Sequence, residues 1–162
     1  MKHTCILACG LLAASLALAQ NSATVTFVPA RQVDLAARRE SARLRAGVWY
    51  STFDNNKEYT TGVVRRTVPT LAEMHTDWTD VWYVIRGSGT LVTGGSLSDP
   101  QTESPGELRG SAIVGGVEQH VAPGDVITVP AGVPHWVRAI NGTENGKEIV
   151  YLVVKIASPS RQ

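Results

Sequence analysis

Between residues 48 and 156 the chain is a run of short segments rich in Val, Ile, Thr and aromatic residues, each closed by Gly, Pro or Asn. Such segments lie at 48–53, 61–68, 72–75, 81–86, 90–93, 112–121, 126–129, 135–140 and 149–156. None is long enough for a helical core, and no helical stretch separates them as parallel βαβ units would require. Many short strands joined by tight turns predict an all-β sandwich or barrel. Arg86-Gly87-Ser88-Gly89 and Asn141-Gly142 read as turns. The polar, Pro-containing stretch 94–110 reads as a surface loop.

What precedes the β pattern is different in kind. Met1-Lys2-His3 is short and basic, 6–18 is apolar, and Ala17-Leu18-Ala19 precedes Gln20. That is the layout of a secretory signal cleaved after Ala19, and the apolar run is too short for a comfortable membrane span. An exported chain, periplasmic or secreted, is the expectation. A lipobox reading of Ile6-Leu7-Ala8-Cys9 ranks lower, because most of the apolar stretch follows Cys9. Removing 19 of 162 residues leaves 143, with no cysteine and a formal charge of zero. Without thiols the mature chain has neither disulfides nor thiolate zinc sites, and without a basic field it has no means of attracting nucleic acid. The extension 20–47 carries an expected short strand at 24–28 and a helix over 33–45, stopped near Gly47. Asp34/Arg38 and Glu40/Arg43 stand at helical pair spacing, and five Arg against two acids over 31–45 read as a solvated face. The β domain is expected over 48–157.

Three histidines survive signal removal: His75, His120 and His135. Glu73 and His75, two apart on one strand, project from the same face. Asp80 opens the next strand. His135 follows Pro130-Ala131-Gly132-Val133-Pro134, a stiff turn that sets the entry of its strand. Two imidazoles and two carboxylates at strand ends suit a divalent first-row metal.

These residues stand in a recognisable register. Glu73-Met74-His75, four residues, Asp80, six residues and Gly87 follow the second half of a motif G-x5-H-x-H-x(3,4)-E-x6-G. Glu73 takes the place of the first His, Asp80 that of the Glu, and the opening Gly is absent. Gly124, five residues, Pro130-Ala131-Gly132, two residues and His135 follow G-x5-P-x-G-x2-H-x3-N, with Ala139 in place of the Asn. The chain therefore resembles the cupin superfamily. The resemblance implies a double-stranded β-helix, or jelly-roll, holding a metal inside the barrel. It makes His75 and His135 ligands, Asp80 a third and Glu73 a fourth; a register pairing His75 with Asp77 leaves too few residues before Asp80, so Asp77 reads as a turn residue. Two His and two carboxylates make a site of about zero net charge with a divalent ion, and their hard oxygens favour Mn, Fe or Zn over Cu(I), with Ni not distinguished. With Glu73 off the metal, the remaining three form a 2-His-1-carboxylate triad. The resemblance implies oxygenase, isomerase or lyase chemistry on a small-molecule substrate. The alternative is a binding module for a metal or a small sugar-like or acidic ligand, and the fold does not choose.

Other residues take expected places. His120, on the strand entering the second motif, is a candidate cavity-lining general base. Trp82 and Val84 alternate with Asp80 and point inward; Tyr83 and Ile85 point outward, an arrangement compatible with a homodimer. Trp136 points away from His135. Asn141-Gly142-Thr143 matches a glycosylation sequon but is equally a hairpin turn.

Overall fold

The computed structural model describes residues 25–38, 47–141 and 146–158. The expected signal segment, the expected helix beyond Arg38 and most of the sequon lie outside them. Among the described residues one helix, α1 (Ala30–Arg38), precedes thirteen strands. These are β1 (Val48–Asn55), β2 (Tyr59–Arg66), β3 (Ala72–His75), β4 (Trp78–Gly87), β5 (Gly89–Thr93), β6 (Ser96–Ser98) and β7 (Gln101–Ser104). They continue with β8 (Glu107–Gly110), β9 (Ala112–Val114), β10 (Val117–Val121), β11 (Val126–Val129), β12 (His135–Ile140) and β13 (Ile149–Ala157). One sheet has the order β1-β2-β13-β4-β11 and the other β10-β5-β12-β3-β8-β7, with β6-β9 as a small third sheet. All pairings are antiparallel. The two large sheets enclose the core, as the jelly-roll expectation requires.

Alternation along the strands sorts side chains into two layers. Val64, Trp82, Val84, Leu91, Tyr151 and Val153 belong to the cluster between the sheets. Val63 and Val150, facing the other way, pack with Ala37 of α1, and Val33, Ala36, Phe53, Ile85 and Leu152 close around them. The helix thus covers the outer face of the first sheet. Each large apolar side chain buried in these layers contributes about 1.5–3 kcal/mol of transfer free energy. Ile85 therefore points outward into a covered layer, whereas Tyr83 is 49% exposed. No described helix is long and apolar enough to cross a membrane.

Four expectations need correction. Residues 94–110 are not a loop but carry β6, β7 and β8. Polarity misled here, because β7 is an exposed edge strand whose residues meet water on both faces. The single strand at 112–121 is two, broken at Gly115, which sits at φ 73°. No strand forms at 25–29, and the helix begins at Ala30, three residues before the expected start.

Gly87 ends β4 at φ 75°, and a Cβ there would run into the carbonyl of Glu148. Both the left-handed backbone and the close approach demand glycine. Gly87→Ala should cost about 2 kcal/mol and lower the melting temperature by roughly 5 °C, read by thermal denaturation.

Candidate metal centre

The site is assembled from both sheets. Glu73 and His75 alternate on β3, and His135, the first residue of β12, lies directly opposite Glu73 in register. These three project from the second sheet. Asp80 of β4 faces them from the first, where it is paired in register with Lys155 of β13. The turn before His135 is tied down by the Gly132 amide, which donates to the His75 carbonyl at 2.7 Å, and by the Val133 amide, which donates to the Pro130 carbonyl at 3.1 Å. Gly132 itself sits at φ 78°. The stiff Pro-Ala-Gly-Val-Pro segment thus fixes both where His135 starts and how it lies against β3.

Potential ligand atoms of Glu73, His75 and His135 all lie within 4.8 Å of one another. His135 Nε2 is 3.6 Å from Glu73 Oε1 and 3.9 Å from Asp80 Oδ2, and His75 Nε2 is 3.6 Å from the same Asp80 oxygen. Atoms this close are only slightly wider apart than ligands each about 2 Å from a common ion. The outer nitrogens are committed elsewhere. His75 Nδ1 is 2.6 Å from Glu107 Oε2, and His135 Nδ1 is 3.2 Å from the Val133 carbonyl. A proton on each Nδ1 satisfies those acceptors and turns the Nε2 lone pairs inward, the arrangement that orients metal-binding histidines. His135 is 1% exposed, and its Nε2 has no hydrogen-bond partner among the described residues. A buried polar atom left without a partner costs about 1–3 kcal/mol, and a metal ion would satisfy it. The donor set fits a divalent cation.

The carboxylates are not idle. Arg66 Nη2 and Arg109 Nη1 each donate to Glu73 at 2.6 Å, one to each oxygen. Arg66 is itself held by Tyr151 Oη at 2.9 Å and by the Thr70 hydroxyl. Lys155 Nζ donates to both Asp80 oxygens at 2.9 and 3.2 Å, and Trp82 Nε1 donates to Oδ2 at 3.3 Å. Burial alone would push the Glu73 carboxyl up, but Arg66, with His135 and Arg109, holds it well below the usual carboxylate range. Burial holds His135 below the ordinary imidazole value. Tyr151 is pushed up to about 12, chiefly by burial, and keeps its proton. Beside the cluster lies a cavity of ≈ 220 Å³, walled by Trp82 and Tyr151, which stack at 4.4 Å between centroids, and opening past Tyr50, Arg109 and Lys155.

Of the residues singled out from sequence, the fold brings together Glu73, His75, Asp80 and His135. Trp82 and Val84 point inward and Trp136 outward, where its Nε1 donates to the Thr70 carbonyl. His120 does not join them. It is exposed on β10 and lines a separate open cleft of ≈ 600 Å³ between the edge strands β10 and β11. Its alternation on that edge strand turns it away from the barrel interior, so it does not line the barrel cavity. Sequence reasoning missed Arg66, Glu107, Arg109 and Lys155. The signal was present: Val64/Arg66 and Tyr151/Val153/Lys155 each end an inward-facing apolar series with a cation. Glu107 and Arg109 alternate within the stretch mistaken for a loop.

Removing the Glu73 charge strands two guanidiniums at once. Glu73→Gln should cost about 3 kcal/mol in the metal-free protein, measured by urea denaturation at pH 7. Because the folded-state pKa of Glu73 lies below its unfolded value, its contribution is complete above that value and is lost as pH falls below about 4.5. The variant should therefore show a flatter loss of stability below pH 4.5 than the parent chain.

Comparison with known proteins agrees with this architecture. The family model described as Cupin matches residues 69–162. Among solved structures, an uncharacterized conserved protein with a double-stranded β-helix domain from Klebsiella pneumoniae is 17% identical, with TM-score 0.51, over 76% of this chain and 85% of that one. The TT1209 protein of Thermus thermophilus is 16% identical, with TM-score 0.50, over 83% and 100%. A predicted oxalate decarboxylase from Thermotoga maritima is 13% identical, with TM-score 0.46, over 68% and 81%. At these identities the likeness to the first two is one of fold. No curated protein matches. With more than half of its length matched by the family model, on a barrel whose inward strands carry the motif residues in register, the chain belongs to the cupin family.

Proposed function

We propose that this chain is an exported, metal-dependent cupin enzyme acting on a small molecule in the barrel cavity. The observation that carries the reading is the buried Nε2 of His135. It has no hydrogen-bond partner among the described residues and converges with His75 Nε2, Glu73 and Asp80. His75, His135, Glu73 and Asp80 would hold a divalent ion, which would polarise a substrate oxygen or activate water or O2. The chain's own groups supply the rest. Glu107 fixes the tautomer of His75, and Arg66 fixes Glu73 while its other two nitrogens donate to Tyr151 and Thr70. The stacked Trp82 and Tyr151 make a wall that excludes water, and Trp82 meets the His135 ring edge-on at 5.6 Å. Tyr50, pushed up to about 12 chiefly by burial and further by Asp80, keeps its proton at the cavity mouth and can donate to a bound ligand. Oxygenation, isomerisation and elimination all fit such a site. Export is supported by the basic, apolar and A-x-A layout of residues 1–19.

A binding module with the same metal is the second reading, favoured by the completeness of the ion pairs on Glu73 and Asp80. A turnover screen with Mn-, Fe-, Zn- and Ni-reconstituted protein separates the two. For the metal itself, elemental analysis of protein purified from a metal-replete culture should find about one equivalent. His135→Ala should lose it together with several degrees of thermal stability, because binding to the native state is linked to folding. His120→Ala should keep both. Equal metal loss in the two variants, or well under one equivalent in the parent chain, would sink the assignment.

A further inference from the structure

The outer face of the first sheet carries a second group of charges that the metal centre does not use. A pocket of ≈ 470 Å³ beside α1 is lined by Arg38, Arg65, Arg86, Gly146, Lys147 and Glu148. Arg65 of β2 and Arg86 of β4 both stand opposite Val150 of β13 in register. Strict alternation from Trp82 and Val84 would send Arg86 into the barrel. Instead Val84 meets Tyr151 while Arg86 meets Val150, which leaves Ile85 as an extra residue in β4. Such a bulge re-aims a side chain. Here it turns the guanidinium to the outer face, where Nη2 donates to the Ala37 carbonyl of α1 at 3.0 Å.

Two largely covered guanidiniums then share one carboxylate. Arg65 Nε and Arg86 Nε donate to the two oxygens of Glu148, each at 2.6 Å. Burial alone would raise the Glu148 carboxyl, but both arginines hold it below its ordinary value, so its charge is present at neutral pH and already engaged. The Arg65 and Arg86 side chains are 17% and 30% exposed, too covered for a solvated face. Arg65 is also fixed in orientation, with its guanidinium 4.5 Å from the centre of the Trp49 ring. Its Nη1 is buried with no hydrogen-bond partner among the described residues, and Arg86 Nη1 makes none of the described hydrogen bonds. Arg38 is tied to Asp34 at 2.8 Å, and Lys147 is exposed. Four cations therefore meet two carboxylates, Glu148 and Asp34, an excess of two positive charges among the described residues. Partly desolvated charge without a counter-charge is unfavourable, and an anion relieves it.

We propose that this pocket binds the phosphate group of a soluble small molecule. A dianion matches the excess of two positive charges. Phosphate also offers more acceptor oxygens than a carboxylate, which suits several guanidinium forks gathered around one centre. The volume leaves room for an organic group beside the phosphate. The pocket shares no lining residue with the barrel cavity, so its occupancy requires neither the metal nor a ligand inside the barrel.

The test is isothermal titration of the full chain with inorganic phosphate at pH 8, with sodium chloride at matched ionic strength as the blank. Phosphate should bind, and Arg86→Gln should weaken it about tenfold through the loss of charge-assisted hydrogen bonds. Lys147→Gln, at an exposed position, should weaken it severalfold and keeps the test decisive if the Arg86 variant does not fold. Glu148→Gln releases both guanidiniums and should bind phosphate at least as tightly as the parent chain. Arg138→Gln removes a cation paired with Glu118 outside the pocket and should leave the affinity unchanged. No binding above the chloride blank, or equal affinity in the parent chain, Arg86→Gln and Lys147→Gln, would overturn the proposal. So would co-sedimentation with phosphatidic acid vesicles in the absence of any binding of free phosphate.

Discussion

The Arg66–Glu73 pair joins the two sheets. Arg66 ends β2 in the first sheet and Glu73 lies on β3 in the second, and their 2.6 Å contact is almost sealed from solvent. Such a pair is not in itself a large source of stability, because desolvating both ions cancels much of their attraction. Its effect is specificity of position. Arg66 reaches Tyr151 and Thr70 with its other nitrogens, so the guanidinium plane, and with it the Glu73 carboxylate, has one arrangement. Glu73 in turn stands opposite His135 in register, and His75 follows two residues later on the same face. An apolar pair at these positions would close the barrel just as well and leave nothing to hold a ligand.

Around that tie the site is layered. The histidine Nε2 atoms and the carboxylate oxygens form an inner ring, and Glu107, the Val133 carbonyl, Arg66, Arg109 and Lys155 form an outer one that orients it. The outer ring takes nothing from the core volume, since its members enter from strand ends where the apolar series stops. The stacked Trp82 and Tyr151 mark the boundary: below them the interior is hydrocarbon, above them it is ionic. The same boundary explains why a barrel without disulfides over its described strands tolerates a polar cavity at one end.

How much of this was legible in the sequence depends on the range of the interaction. Strand periodicity placed Asp80, Trp82 and Val84 on one face, and Glu73 and His75 on another, because alternation is a property of the local backbone. The Pro-Ala-Gly-Val-Pro turn announced His135, since proline and a left-handed glycine restrict the chain wherever they occur. The stretch 94–110 was unreadable as strand because an edge strand, wet on both faces, has no apolar alternation to display. His120 was misplaced for a related reason: alternation says which residues share a face, but on an edge strand not which face is covered.

The sequence by itself determined an all-β domain, sandwich or barrel, since period-two alternation and turn chemistry act between near neighbours, and it carried two histidines and two carboxylates at a spacing that resembles the cupin motifs. Only the tertiary structure decided the partners. Arg109 meets Glu73 across 36 residues, Glu107 meets His75 across 32, and Lys155 meets Asp80 across 75. Those encounters are set by the order in which strands pair within and across two sheets, and a linear spacing carries no record of that order.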